Sequence, residues 1–321
     1  MLNLAARLEG KSQIVVVFGM TIVALGWLIS EVSGLTKLEA LVKLIGSVAA
    51  YTAALVMTVR IAREHRQVRG SAFRRNGEKP ASTIPPEGAT TYLLRIAWLA
   101  MAANAGIFIL RPVVETSLWN QVVAGYSQSP LQGFLLHLLI IPANCFFLVG
   151  VLAMWKAYSG IGLGFRIRGR DYAAMAAILA LMFALMFYRE HLTESQSPIL
   201  TSRLLQPFGL ALLSICAAMS LVLYRISMQM GGGRLAVALR WLTAFALLRA
   251  SLVLIRSLKL EFGPDSFWTG EYVNYLIEIG WLVVPWTFAL AAVCRAEITI
   301  TAARELKERR AARDELVGVS S

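Results

Sequence analysis

Apolar runs of roughly 17–25 residues, the length a helix needs to cross the hydrocarbon core of a bilayer, recur from Ile14 to Cys294 with only short polar breaks between them. A chain written this way has lipid for its solvent. With 57% apolar residues, 16% charged residues and a mean hydropathy of +0.63, it has too little polar surface to coat a soluble globule of 321 residues. The fold class that follows is all-α: a polytopic membrane protein of about eight transmembrane helices. Spans are expected at 13–30, 38–61, 92–114, 131–155, 172–188, 204–224, 235–258 and 271–294, which leaves 297–321 as a cytosolic helical tail on a transmembrane domain of residues 1–296. Because the runs are continuous and do not alternate, a transmembrane barrel is excluded. Arg7 and Lys11 precede the first run as they would in a signal peptide, but no small-x-small cleavage site follows Ser30, so a retained helix is expected.

The formal charge of +12 invites a nucleic-acid reading. The distribution of the basic residues argues against it. If the N-terminus is inside, 23 of the 31 Lys and Arg residues fall on the cytosolic side; seven (Lys37, Lys43, Arg111, Arg189, Arg203, Arg256 and Lys259) fall outside, and Arg249 lies within a span. The positive-inside rule then explains the charge, sets both termini in the cytosol and implies the inner (plasma) membrane, with no nucleic-acid partner. Cys145, Cys216 and Cys294 all lie in or at the end of spans, with no ligand spacing, and read as small apolar packing residues without a disulfide or a metal.

Two basic segments face the expected cytosolic side. Arg60, Arg63, Arg66 and Arg69 extend the second span before the chain turns into GEKPASTIPPEG, and Arg166, Arg168 and Arg170 follow Gly160, Gly162 and Gly164 between spans four and five. Ordinary topogenic charge accounts for both. Contact with anionic lipid head groups or phosphate through Arg63, Arg66, Arg69, Arg166, Arg168 and Arg170 is the functional alternative, since basic residues there meet a negative lipid surface. Small residues recur every fourth position at Gly46, Ala50 and Ala54 and at Ala176, Ala180 and Ala184, stripes that serve either contacts within the monomer or a homodimer. Pro142, Pro207 and Pro285 are expected inside spans four, six and eight, where each removes a backbone N–H.

Ionisable residues inside apolar spans are costly and are the best pointers to function. Arg249 and Arg256 are seven apart on span seven, and Glu271 and Glu278 are seven apart on span eight. A hairpin turning between Gly263 and Pro264 sets Arg249 level with Glu278 and Arg256 level with Glu271, predicting two intramembrane ion pairs. Asn104, Arg111, Glu115, His137, Asn144 and Asn274 gather in the same outer half. His137 and Asn144 share a face, and His137, Asn144, Asn104, Glu115 and Asn274 are the expected lining of a small polar pocket.

Enzymatic chemistry has little to stand on. The three histidines, His65, His137 and His191, form no HExxH-type cluster, no lysine is placed for a retinal Schiff base, and no cofactor is expected. The last span runs without a break into RAEITITAARELKERRAARDEL, a stretch of helix formers whose apolar positions do not sustain a heptad. A polar outer pocket and a cytosolic helical stalk together suggest a sensor or interaction subunit that contacts a separate signalling partner. The alternative is a secondary transporter or channel for a small solute, which the intrahelical prolines partly fit.

Overall fold

A computed structural model describes residues 12–75, 87–123, 130–159, 167–192, 206–230, 234–261 and 271–318. For residues 36–37, 40, 66–75, 87–88, 112–123, 130–137, 185–192, 206, 234, 256–261, 271–272 and 299–318 it describes the backbone only. The described residues form eight helices and no strand: α1 (Ser12–Val32), α2 (Thr36–Arg75), α3 (Glu87–Val123), α4 (Pro130–Ser159), α5 (Gly169–Leu192), α6 (Gln206–Gln229), α7 (Arg234–Glu261) and α8 (Glu271–Gly318). Each overlies one expected span. Seven of them, all but α5, are long and apolar enough among their described residues to cross a membrane. Helices are the expected solution in lipid, because each satisfies its own backbone hydrogen bonds.

Local chemistry sets the helix ends. Gly34, at φ 66°, closes α1 by donating its N–H to Glu31 O, while Leu35 N–H reaches Ser30 O at 2.9 Å. That is a Schellman turn, whose left-handed position suits glycine, and it sends α2 back antiparallel to α1. At the start of α5, the Asp171 carboxylate accepts the Arg168 N–H at 2.9 Å, satisfying a donor that the first helical turn leaves without a partner. Arg225 of α6 donates from Nε and Nη2 to the other Asp171 oxygen, which ties α5 to α6. Burial pushes the Asp171 carboxyl up, but these hydrogen bonds and the Arg225 and Arg170 charges outweigh it and hold the group below its ordinary 3.8.

Six helices close a ring in which α2 packs on α3, α3 on α4, α4 on α6, α6 on α7, α7 on α8 and α8 back on α2. α1 lies outside, against α2 and α8, and α5 lies outside against α6 with a minor contact to α7. Tyr51, Phe108, Phe147, Phe245 and Phe288 fill the ring interior from α2, α3, α4, α7 and α8. Tyr51 stacks on Phe108 with centroids 5.2 Å apart, and Phe245 meets Phe288 at 4.8 Å and Phe147 at 5.5 Å. Since lipid is as apolar as these side chains, close packing rather than escape from water holds the ring together.

Small residues permit the approach. A Cβ on Gly46 would come within 2.5 Å of Val23, and one on Gly19 within 2.7 Å of the Trp286 ring. Ala50 and Ala54 are fully buried in the same core. The Gly46, Ala50 and Ala54 stripe therefore serves contacts within the monomer, whereas Ala176, Ala180 and Ala184 are exposed on α5. Pro142 and Pro285 lie inside α4 and α8. Pro207 does not lie inside α6: it is the second residue of that helix, in the first turn, where its missing N–H has no intrahelical acceptor to lose.

Candidate functional site

Three polar side chains reach the ring interior at one depth. Asn104 of α3, Asn144 of α4 and Arg249 of α7 lie in the half of the ring that carries Lys43 and Glu278, and hydrogen bonds from Arg249 to Asn144 and from Asn104 to Ala143 O hold them level. All three are buried: Asn104 and Asn144 are 0% exposed, and Arg249 is 4% exposed.

Arg249 Nη2 donates to Asn144 Oδ1 at 3.0 Å, across the inside of the ring from α7 to α4. Its guanidinium lies over the rings of Phe108 and Phe245, 4.5 and 5.2 Å from their centroids. Among the described residues no carboxylate pairs with it. Such cation–π contacts contribute about 0.5–2 kcal/mol each, less than the several kcal/mol that an unneutralised charge costs at membrane depth.

The two asparagines are each half used. Asn104 Nδ2 donates to Ala143 O at 2.7 Å, and Cys216 Sγ lies 3.3 Å from Asn144 O. Asn144 Nδ2 and Asn104 Oδ1 are buried with no hydrogen-bond partner among the described residues. Exchanging oxygen and nitrogen in either amide would set two acceptors or two donors face to face, so the orientations are fixed by their neighbours. The site thus offers a cation and a free amide donor, with one free acceptor beside them.

The expected pair of Arg249 with Glu278 is not formed. Glu278 accepts from Lys43 Nζ of α2 at 2.7 Å, and Lys43 also reaches Glu39 at 2.5 Å. The reason is helix register. Leu252 packs against Gly280, and Phe245 against Phe288, whereas the expected hairpin would have set Leu252 opposite Tyr275 and Phe245 opposite Leu282. The true register is displaced by about five or six residues, roughly 8 Å along the helices, which carries Glu278 away from Arg249 toward the helix end. The side chains of Arg256 and Glu271 lie outside the described residues.

Of the expected pocket lining, Asn104 and Asn144 come together. Asn274, on α8, is half-buried. The side chains of His137 and Glu115 lie outside the described residues, as do those of Arg66 and Arg69 and the whole of Arg166. Arg63, Arg168 and Arg170 are exposed. Sequence reasoning singled out Arg249 but missed its aromatic cradle and missed Lys43 as the partner of Glu278. It also passed over Asp171, although an aspartate three residues after a basic turn is a recognisable helix-start signal.

At the other end of the ring, Arg295 Nη2 lies 3.5 Å from His65 Nε2, and Glu297 accepts from Ser12 Oγ and from Gln13 Nε2, the latter at 2.9 Å. These contacts bind α1 and α2 to α8. No group of three or more possible metal ligands occurs among the described residues. No protein-family model, curated protein or solved structure matches the chain.

Proposed function

We propose that this multi-pass membrane protein is a receptor-like subunit of the plasma membrane that takes a small anion at Arg249 and reports its occupancy through α8. One observation carries the reading: a buried guanidinium held, among the described residues, only by a neutral amide and two aromatic faces, beside an amide N–H that has no acceptor among them. Both groups are donors, so the complement is an anion with at least two acceptor atoms, such as a carboxylate. A hydroxyl on the same ligand suits the free Asn104 oxygen.

The closed state buries Arg249, so an anion reaches it only as the ring helices part. Binding is then coupled to a change of state, which is what a receptor requires. Phe245 touches both the guanidinium and Phe288 of α8, and α8 continues as one helix to Gly318, well beyond its expected span of 271–294. Movement at Arg249 therefore has a packed route to the stalk, where a cytosolic partner would read it.

Thermal denaturation of the full chain in neutral detergent tests this, with acetate, lactate, succinate, nitrate and phosphate as probes. At least one carboxylate is expected to raise the Tm of the parent and to leave Arg249→Met unchanged. Equal shifts in both proteins, or none in either, would overturn the anion site. A ring closed around a charged residue also suits a transporter. Uptake of the stabilising anion into proteoliposomes, retained after truncation beyond Ile298, would replace the receptor reading with that one.

A further inference from the structure

The opposite end of the ring carries a groove that the receptor reading does not use. It has a volume of about 300 Å³ and lies between α2 and α3, lined by Val59, Ala62, Arg63, Arg95 and Leu99. The helices are antiparallel neighbours, and Arg63 follows Val59 by four residues just as Arg95 precedes Leu99 by four. The two arginines therefore form one rung and the two apolar residues form another, about one turn, or roughly 6 Å, deeper in the membrane. Arg63 lies two residues beyond the end of its expected span, 38–61, and Arg95 three residues inside the start of its own, 92–114, so the pair brackets the level where head groups meet acyl chains.

Charge distinguishes these two arginines from their neighbour. Arg60 pairs with Glu64 at 3.2 Å, whereas neither Arg63 nor Arg95 has a carboxylate partner among the described residues. We infer that the groove is a binding site for one anionic phospholipid, its phosphate held between the Arg63 and Arg95 guanidinia and the start of an acyl chain lying on Val59 and Leu99. Guanidinium groups suit this role because their planar forks match phosphate oxygens and are weakly hydrated. A cationic mouth over an apolar floor fits a lipid better than it fits a soluble phosphate, which would leave the floor unfilled.

Native mass spectrometry of the full chain, released from vesicles of equal phosphatidylglycerol and phosphatidylcholine, tests the site. The parent is expected to retain one phosphatidylglycerol in preference to phosphatidylcholine, undiminished by added inorganic phosphate. Losing each arginine should lower retention about fivefold, so Arg63→Gln with Arg95→Gln should lower it at least tenfold, while Arg170→Gln on exposed α5 leaves it unchanged. Arg63→Lys with Arg95→Lys, which keeps the charge and removes the forks, should fall between parent and the glutamine pair. Parental retention by the glutamine pair, an equal loss from Arg170→Gln, or displacement of the lipid by phosphate would each overturn the proposal. A parental Tm for the lysine pair in detergent shows that a lost lipid is not a lost fold.

Discussion

The Arg249 guanidinium and the Asn144 amide oxygen meet at 3.0 Å across the interior of a helix ring, although α4 and α7 are not neighbours in it. The contact joins a full charge to a dipole, and among the described residues two aromatic faces complete the shell. Such an arrangement holds a cation in place without neutralising it.

Arg249→Met is accordingly expected to be close to neutral for folding. Removing the buried charge is favourable, while the lost cation–π contacts and the unmatched Asn144 oxygen are unfavourable, and the net change should stay within about 2 kcal/mol. The Tm in detergent reads this directly. A loss above about 3 kcal/mol would instead indicate that Arg249 neutralises a buried carboxylate.

Lys43 bridges Glu39 and Glu278, tying α2 to α8, but the pair with Glu278 is 31% and 43% exposed. Given the exposure, a double-mutant cycle of Lys43→Met and Glu278→Gln is expected to give a coupling of about 0.2–1 kcal/mol, reduced by salt. A coupling above about 2 kcal/mol would place the pair in a drier setting than the structure describes.

Asp171 makes the attachment of α5 acid-sensitive. Because its carboxyl is held below the ordinary value of 3.8, the stability it lends is fully present above that value and is lost as pH falls through the depressed one. Asp171→Asn should destabilise the protein at neutral pH by about 1–3 kcal/mol and flatten the acid limb of a Tm-against-pH curve. Hydrogen exchange of α5 amides locates the effect, and an unchanged acid limb in the variant would assign it to another group.

Gly19→Ala tests the seat of α1. The new Cβ meets the rigid Trp286 ring at 2.7 Å, so about 1–3 kcal/mol should be lost, with part of it recovered by adding Trp286→Leu. Thermal melts of the single and double variants read both terms. An unchanged melt for Gly19→Ala would mean that α1 sits farther from α8.

The helices were legible because bilayer thickness dictates span length, and Asn104, Asn144 and Arg249 were legible as costly polar residues in the same outer half of the spans. Their partners were not. A register deduced from one hairpin took no account of how Phe245 meets Phe288 or Leu252 meets Gly280, and these contacts set the true alignment. Lys43 and Glu278 are 235 residues apart. No local pattern announces that α2 closes the ring on α8. Likewise, two phenylalanines beneath an arginine read in sequence as ordinary core residues, since aromatic faces carry no formal charge to match.

The placement of α1 has a consequence for how the protein is made. Only 11% of its apolar window is buried, and what holds it comes from α2, immediately behind it, and from α8, with Ser12 and Gln13 bonding to Glu297 across a separation of up to 285 residues. At synthesis rates of about 5–20 residues per second, that interval lasts on the order of 15–60 s. Throughout it α1 waits in the bilayer with its Trp286 seat not yet translated, and the α2–α8 seam stays open for as long. α8, translated long after α1, is therefore the helix that locks it, and quality control acting in that interval would meet a half-built ring in which Arg249 and its shell of Asn144, Phe108 and Phe245 are present while the α8 face that Phe245 packs against is still missing.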